Sequence, residues 1–517
     1  MKKILFFSLF FFLFFIYACK SIQGAEECPS GALSEYQSSL NYPSQITSLY
    51  QLLECKPIWN EKNIEKLKKL IENSAWEGLN PADYQVDFNE DNEEVWIKEV
   101  KLTDTLLKLA YHTYYGRVNP NKVFSMVNFP PKKDTVVTTL AKLLEEDRLE
   151  DLFTALAPEF EEYRVLKDYL RRYKEIIEVT KDDPIELDKK LKPGDQNHLI
   201  PKIRKRLYLL GYLETFTESQ TYDQELKVAI QKFQKGQNLK PTGIIDQQTV
   251  RLLELLPKKR VIQISVNLEK FRWLPQKKPE ALYVWVNIPS FELSVIREGN
   301  VIFYSPVIVG KSNPKDFRPT PLLYSKMTHL VINPPWNIPP NVYLKDFFPK
   351  ITKDPGYLLK QGVKVYANNT EINPFSINWE NYNRLDLPFR LVQPPGNGNA
   401  LGKVKFQFPN PFDVYLHDTP KKHLFRYAKR DFSSGCVRVK NAVELARFLV
   451  SNGYTNGWDE KRLIKALQLD KTIYISLNPP IPVYLVYFTA VVKTPYIYYL
   501  EDLYGYDQKI AKLFNSK

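Results

Sequence analysis

The stretch that decides the fold of the C-terminal half reads FDVYLHDTPKKHLFRYAKRDFSSGCVRV, residues 412–439. Its first seven residues predict a strand in which Tyr415 and His417 share one face and the aliphatic residues beside them the other. Its last seven residues place Cys436 next to a glycine, among small and polar side chains. A buried structural cysteine usually lies among aliphatic residues, so Cys436 is predicted to be an accessible, reactive thiol.

A reactive cysteine needs a base or a positively charged neighbour, because the thiolate is the nucleophile. The chain offers five histidines: His112, His198, His329, His417 and His423. His417 ends the predicted strand and faces away from its aliphatic side, where a following loop can bring a thiol to it. His423 lies in the charged, exposed stretch KKHLF. We therefore predict Cys436 as the nucleophile and His417 as its base.

After His417 the pattern predicts a polar loop and then a helix. Gly435 permits a tight turn. The successive backbone N–H groups of Ser434, Gly435 and Cys436 are predicted to point inward as an oxyanion hole. Asn441, followed three residues later by a glutamate, resembles a capping box and predicts the start of the helix.

Two charged residues near this pair have two interpretations each. Arg438 either holds a substrate carboxylate, which a guanidinium binds as a fork, or makes a structural ion pair. Asp418 either orients His417, which a backbone carbonyl could do equally well, or caps the loop. No His or Cys pair has metal-ligand spacing, so no metal or cofactor is predicted. A papain-like protease is disfavoured, because that class has its cysteine before its histidine.

The chain of 517 residues, 44% apolar and 14% aromatic, is long enough for about three globular domains. Helical spacing and helix-stop residues predict an α-helical scaffold over 26–188, with one helical block broken at Pro158. Three short helices are predicted over 189–258, the last capped by Asp246. From 259–517 the pattern is strand-rich, with a hairpin turn at Glu298-Gly299-Asn300 and a lid-like insertion, heavy in Pro and Asn, at about 333–400.

The N-terminus, MKKILFFSLFFFLFFIYACK, predicts a signal peptide over 1–25, because a short apolar run follows two lysines. We therefore expect a periplasmic or cell-envelope location. Cys19 either carries a lipid anchor, and with it membrane association, or is removed by cleavage near Ala25. Export permits disulfides, and the sequence leaves open whether Cys28 pairs with Cys55.

The net charge of +13 favours an anionic cell envelope as a partner, since an exported protein meets little nucleic acid. A solvated surface rich in lysine explains the same charge. No nucleic-acid partner is predicted.

The segment from Tyr222 to Thr249, with AIQKFQ, Gly243 and Asp246, resembles the three-helix peptidoglycan-binding domain. The order His417, a gap of 19 positions, then Ser-x-Gly-Cys-x-Arg resembles the L,D-transpeptidase catalytic domain. YLHDTP, FQFPN and SSGCVRV further resemble the large periplasmic branch of that family. The common family form has a histidine where Ser434 stands, which leaves His417 as the sole base.

The resemblance implies a multidomain protein with a mainly-β, sandwich-like catalytic domain behind a helical scaffold and a binding module. It implies transfer of a donor tetrapeptide through an acyl-enzyme to a second peptidoglycan stem peptide, giving 3-3 cross-links, and acylation of Cys436 by carbapenems. Two alternatives stay open. Hydrolysis of the acyl-enzyme would make the protein an L,D-carboxypeptidase, and a fold kept only for holding peptidoglycan would make it a catalytically silent envelope protein.

Overall fold

The computed structural model describes residues 37–88, 95–237, 239–277, 282–493 and 496–515. The predicted signal peptide, with Cys19, and Cys28 lie outside these ranges. Cys55 is disulfide-bonded. Within the described ranges, no helix combines the length and the apolar character needed to cross a membrane.

The first region is helical, as predicted. Its helices are α1 (Pro43–Leu52), α2 (Glu61–Asn73), α3 (Val95–Tyr115), α4 (Pro120–Val123), α5 (Val136–Glu145), α6 (Leu152–Leu156) and α7 (Glu161–Thr180). The apolar stripes of α1, α2, α3, α5 and α6 meet in one core that includes Leu67 and Leu106. The predicted break at Pro158 is confirmed, because it lies between α6 and α7. His112 is structural: its Nδ1 lies 2.9 Å from the Tyr84 hydroxyl.

Three helices form the second region: α8 (Ile200–Leu209), α9 (Gln224–Gly236) and α10 (Gln247–Arg272). Their apolar faces share a core around Ile203, Phe233 and Leu253. The Asp246 side chain accepts a hydrogen bond from the Thr249 amide at 2.9 Å, which confirms the predicted N-cap. The three-helix prediction therefore holds for the first part of α10.

The predicted division at residue 258 falls inside a helix, because α10 continues through Pro257 to Arg272. The second half of α10 buries Ile264, Leu268 and Phe271 against α7 and the C-terminal sheet, and this packing outweighs the backbone hydrogen bond lost at proline. Residues 259–272, predicted within the strand-rich region, are thus helical.

A buried polar network fixes α10 to the scaffold. The Arg272 guanidinium is fully buried, lies 3.3 Å from the Glu269 carboxylate and donates to the Tyr163 hydroxyl at 2.8 Å. It also donates to the main-chain carbonyl of Glu77 at 2.5 Å. Breaking one member would leave a buried charge without its partner, which is strongly destabilising.

The strands are β1 (Val127–Asn128), β2 (Tyr283–Asn287), β3 (Glu292–Arg297), β4 (Asn300–Ile308), β5 (Leu322–Ile332), β6 (Trp336–Asn337), β7 (Lys364–Ala367), β8 (Thr370–Ile372), β9 (Arg390–Gln393), β10 (Val404–Gln407), β11 (Leu416–His417), β12 (Val437–Val439), β13 (Ile473–Val486), β14 (Ala490–Lys493) and β15 (Tyr496–Tyr499). In the described part of the chain, the main sheet has the order β1-β5-β10-β11-β12-β4-β3-β2-β13. Because β13 also pairs with β5, the sheet closes into a barrel-like ring. The prediction of a mainly-β C-terminal region is confirmed.

Two local predictions from the sequence have different outcomes. The turn at Glu298-Gly299 joins β3 to β4 with two residues of positive φ, as predicted. The helix begins directly after Asn441, as predicted, but the capping box itself is wrong, because the Asn441 side chain makes no cap hydrogen bond. Its backbone N–H instead donates to the Ser305 hydroxyl on neighbouring β4, at 3.1 Å.

The insertion is a small unit of its own, with helices α11 (Pro340–Val342), α12 (Phe348–Ile351) and α13 (Gly356–Lys360). Its strands form a separate sheet in the order β6-β9-β7-β8, and its core includes Tyr343, Val365 and Trp379. The remaining helices are α14 (Ala442–Ser451), α15 (Glu460–Gln468) and α16 (Tyr506–Asn515).

Candidate active site

The sheet brings Cys436 and His417 to the same face of two neighbouring strands. β11 and β12 run parallel, with Leu416 opposite Val437 and His417 opposite Arg438. Leu416 and Val437 are fully buried in the barrel core. Since successive side chains alternate between the faces of a strand, His417, Arg438 and Cys436 all lie on the other face, which the insertion approaches.

The loop that carries the thiol is fixed by a neighbouring segment. The Thr320 hydroxyl donates to the Gly435 carbonyl at 2.8 Å and accepts from the Gly310 amide at 2.9 Å. The Ser433 amide donates to the Val309 carbonyl at 2.9 Å. Gly435 has a φ of +119°, a conformation that favours glycine, so the turn before Cys436 depends on this residue.

Cys436 is a free, partly exposed thiol, and its Sγ lies 4.0 Å from the Asp413 carbonyl oxygen. Burial raises the pKa of this thiol above its ordinary value. The amide and hydroxyl of Tyr415 and the charges of Lys405 and Arg438 act in the opposite direction, because they favour the thiolate. The resting thiol therefore keeps its proton, in surroundings that will stabilise the anion when the proton leaves.

His417, the predicted base, is buried and neutral. Burial, followed by the charge of Arg438, lowers the pKa of His417 to about 3. The hydrogen bond to the main-chain carbonyl of Asp418 acts in the opposite direction, because it raises this pKa. Nδ1 lies 2.5 Å from that carbonyl oxygen. A carbonyl can only accept a hydrogen bond, so Nδ1 carries the proton of the neutral ring and Nε2 keeps its lone pair. The Leu401 carbonyl also favours a proton on the ring.

Asp418 orients His417 through its main chain and not through its carboxylate. The carboxylate accepts from the Lys403 amide at 2.9 Å and lies 2.5 Å from Lys422 Nζ. A backbone carbonyl thus orients the imidazole, and the Asp418 carboxylate holds the loop, so the predicted orienting role of that side chain is wrong. A Cβ at Gly402 would overlap this carboxylate, which explains the glycine there.

The predicted oxyanion hole needs one correction. The Gly435 amide donates to the Ser433 hydroxyl at 3.2 Å, so it is already engaged. In the described part of the chain, the amides of Ser434 and Cys436 have no protein acceptor, and these two remain the candidate donors.

Arg438 makes no ion pair with any described carboxylate. Burial lowers the pKa of its guanidinium, and Cys436 acts against that shift. The structural ion pair that the sequence left open is therefore not found among the described residues. The guanidinium therefore lies on the same face of the sheet as His417 with no described carboxylate bound to it.

Sequence reasoning missed Lys405, which lies opposite His417 on β10. Its Nζ is 4.1 Å from the centre of the Tyr415 ring. The stretch VKFQF could have pointed to it, because Lys405 falls on the opposite face from the buried Val404 and Phe406. What the sequence cannot give is the register that sets Lys405 beside His417.

The insertion contacts Tyr415 directly and is linked to the loop before Cys436 through Arg318. The Arg318 guanidinium binds the Asp346 carboxylate of the insertion as a fork, at 2.6 and 2.7 Å, and donates to the Ser434 hydroxyl at 3.1 Å. Trp336, the first residue of β6, donates a side-chain hydrogen bond to Tyr415. The insertion therefore lies beside the segments that carry Tyr415 and Cys436, and its function as a lid stays a prediction.

Comparison with protein families gives three matches. Residues 281–466 match the L,D-transpeptidase catalytic domain. Residues 197–253 match the "Putative peptidoglycan binding domain", and residues 44–170 match the "Scaffold domain". Each match falls within one of the three domains predicted from the sequence.

Among curated proteins, the chain is 37% identical over 249 residues to the "Putative L,D-transpeptidase" of Haemophilus influenzae. The alignment covers 48% of this chain and 48% of that protein, so the chain spans about half the length of this relative. The chain also resembles solved L,D-transpeptidases from Xylanimonas cellulosilytica and Stackebrandtia nassauensis, at 13% and 14% identity. These alignments cover 58% and 57% of this chain and 100% and 94% of the others, and both TM-scores are 0.17, too low to support an argument.

Proposed function

We propose that this chain, which carries an L,D-transpeptidase catalytic domain behind a peptidoglycan-binding domain, forms 3-3 cross-links between peptidoglycan stem peptides through a cysteine acyl-enzyme. One observation supports the proposal: Cys436 and His417 share one face of two paired strands, with a free thiol and an imidazole whose Nδ1 is bonded to the Asp418 carbonyl. We infer that Nε2, the nitrogen left with a lone pair, accepts the thiol proton.

In the first half-reaction, His417 Nε2 takes the Cys436 proton as the sulfur attacks the carbonyl carbon of an L-centred residue in the donor. The carbonyl oxygen becomes an oxyanion, for which the amides of Ser434 and Cys436 are the donors. The carbon–nitrogen bond to the terminal D-residue then breaks. His417 returns the proton to the departing amine, and a thioester remains on Cys436.

In the second half-reaction, the side-chain amine of a second stem peptide attacks the thioester, while His417 takes a proton from that amine. The carbon–sulfur bond breaks, and the proton passes to the sulfur, so the enzyme returns to its starting state. Attack by water at the same step would release a shortened peptide, which is the L,D-carboxypeptidase alternative.

The burial of the site favours transfer over hydrolysis. His417 is about 5% exposed, and Trp336 of the insertion contacts Tyr415. The insertion is linked to the loop before Cys436 through Arg318, which binds Asp346 and donates to Ser434. Excluding water from the thioester gives the acceptor amine time to arrive. The peptidoglycan-binding domain supports a location in the cell envelope. Export to the periplasm and a lipid on Cys19 remain predictions from the sequence.

The test is incubation of the purified mature protein with a disaccharide-tetrapeptide, followed by mass spectrometry of the products. We expect a cross-linked dimer that has lost one terminal D-residue. Cys436→Ala should abolish the dimer, and His417→Gln should slow its formation by at least about 100-fold, the size of a general-base contribution. The exposed His423 provides the matched control, because His423→Gln should leave the rate unchanged.

The same experiment separates the alternatives. A shortened monomer without dimer would support the carboxypeptidase. Unchanged tetrapeptide, together with binding to isolated peptidoglycan that Cys436→Ala does not alter, would overturn the enzyme proposal in favour of the silent envelope protein.

A further inference from the structure

Three side chains form a straight row across the face that carries the thiol. Lys405 on β10 is paired with His417 on β11, and His417 is paired with Arg438 on β12. The imidazole therefore lies between two cationic residues on adjacent strands. Neighbouring strands lie about 4.8 Å apart, so the backbone of each cationic residue lies one strand spacing from the backbone of His417.

Both cations are partly buried, and neither has a carboxylate within ion-pair distance among the described residues. Other basic side chains around the site are paired: Arg318 with Asp346, and Lys422 with Asp418. Burial lowers the pKa of both Lys405 and Arg438. Cys436 and then Asp413 act in the opposite direction on Lys405, each with a smaller effect than burial.

Partly buried charges without partners cost free energy, since water solvates them poorly and no counter-charge replaces it. Packing holds Lys405 in this position, because its Nζ lies over the Tyr415 ring. A pair of cations held in this way on both sides of a base is suited to an anionic group of the substrate.

We propose that Lys405 and Arg438 together bind the terminal carboxylate of the residue that leaves the donor peptide. The inference rests on the proposed function, because it assumes that a C-terminal residue departs. It assigns Lys405 a binding role, completes the site for which Arg438 alone was a candidate, and restricts the donor to peptides with a free C-terminal carboxylate.

Covalent geometry places that carboxylate next to the row. The leaving nitrogen must approach His417 to receive its proton, and the carboxyl carbon lies only two bonds from this nitrogen, about 2.5 Å away. The carboxylate is then within reach of cations on the strands that flank the imidazole. The Arg438 guanidinium can bind it as a fork, and the Lys405 ammonium adds a point charge.

The test compares two donors: the disaccharide-tetrapeptide with a free C-terminal carboxylate, and the same donor as its C-terminal carboxamide. We expect the wild-type protein to lose at least about tenfold in kcat/KM on the carboxamide, the loss expected for a charge-assisted hydrogen bond. Lys405→Met should lose a similar factor on the free acid and much less on the carboxamide, because the two changes remove the same contact.

Two variants serve as controls. Lys405→Arg keeps the cation and should keep a preference for the free acid. Lys326 is an exposed lysine on β5. Lys326→Met therefore controls for the loss of a lysine from a strand, and it should behave as the wild type with both donors.

Two outcomes overturn this inference while leaving the proposed function in place. One is equal use of both donors by the wild-type protein. The other is an unchanged ratio of the two kcat/KM values in Lys405→Met. Failure of the wild-type protein to cross-link even the free-acid donor would overturn the proposed function, and this inference with it.

Discussion

The Nδ1–H group of His417 donates a hydrogen bond of 2.5 Å to the main-chain carbonyl of Asp418, which leaves Nε2 as the basic nitrogen. Burial and the charge of Arg438 lower the pKa of this imidazole to about 3, and burial raises the pKa of the Cys436 thiol. The Cys436 thiol and the His417 imidazole are therefore both neutral at rest. In the proposed mechanism, the proton therefore passes from the thiol to the imidazole as the sulfur attacks the substrate.

A neutral resting pair predicts an unusual pH profile. We expect kcat/KM for acylation of Cys436 to stay level as the pH falls from about 8 to about 5, because His417 does not titrate at its ordinary value of about 6.5. Stopped-flow acylation by the tetrapeptide donor would measure this. An acid limb centred near pH 6.5 would contradict the neutral pair.

The same shift predicts that stability falls in acid. The folded pKa of His417 lies below its unfolded value, so the unfolded chain binds the extra proton first. The contribution is fully present above about pH 6.5 and is lost as the pH falls toward 3, at up to about 1.4 kcal/mol per unit. Urea unfolding at pH 7 and pH 5 should show a smaller acid loss in His417→Gln than in the wild type. The exposed His423 gives the control: a His423→Gln variant that shows the same reduction would contradict this assignment.

Gly402 is predicted to be essential for the position of His417. Gly402 and Gly453 both have positive φ, at +63° and +78°, but only at Gly402 would a Cβ meet a neighbour, the Asp418 carboxylate. Gly453→Ala should cost only about 1 kcal/mol of backbone strain and keep full activity. Gly402→Ala should lose most of its acylation rate, because Asp418 must move. Equal activity in the two variants would show that the Asp418 loop tolerates the shift.

Thr320 is predicted to hold the turn that presents the thiol. Thr320→Val removes the hydrogen bond to the Gly435 carbonyl and leaves buried polar groups unsatisfied, at a cost of about 1–3 kcal/mol. We expect a lower unfolding midpoint and a slower acylation rate. Thr328→Val, which removes a threonine hydroxyl outside this turn, should change neither. Wild-type acylation in Thr320→Val would rule out this role of the hydroxyl.

The fork between Arg318 and Asp346 is predicted to keep the insertion close to the nucleophile loop. Asp346→Asn weakens it, and we expect faster alkylation of Cys436 by a bulky maleimide together with slower cross-linking. Asp354→Asn is the control in the same insertion, because the Asp354 carboxylate binds the exposed Lys360 and the nearby Gly356 amide, away from the loop before Cys436. If Asp346→Asn is alkylated and cross-links as Asp354→Asn does, this ion pair does not govern access to the thiol.

The features predicted correctly from the sequence are those set by short-range patterns. The break at Pro158, the N-cap at Asp246 and the turn at Glu298-Gly299 each depend on a few neighbouring residues. The shared face of Tyr415 and His417 follows from the period of a single strand. The capping box predicted at Asn441 does not form, because the backbone N–H of Asn441 donates to the hydroxyl of Ser305, which is distant in sequence.

The rest of the site depends on contacts between distant segments. Lys405 lies beside His417 because β10 pairs with β11 in one register, and Arg318 reaches Ser434 across 116 positions of sequence. Nothing in the local pattern of either residue specifies these partners. The hydrogen bond from the Gly435 amide to the Ser433 hydroxyl also depends on the geometry of the turn, which the sequence motif does not specify.

The acyl group is proposed to pass through Cys436, and mass spectrometry of the protein itself tests this most directly. The protein is mixed briefly with the tetrapeptide donor, quenched in acid and digested. We predict an adduct of the donor minus its terminal residue on the peptide that contains Cys436. It should disappear when an acceptor amine is added and be absent in Cys436→Ser. Cross-linked product that accumulates from Cys436→Ser, or from wild-type protein that never carries this adduct, would contradict the account.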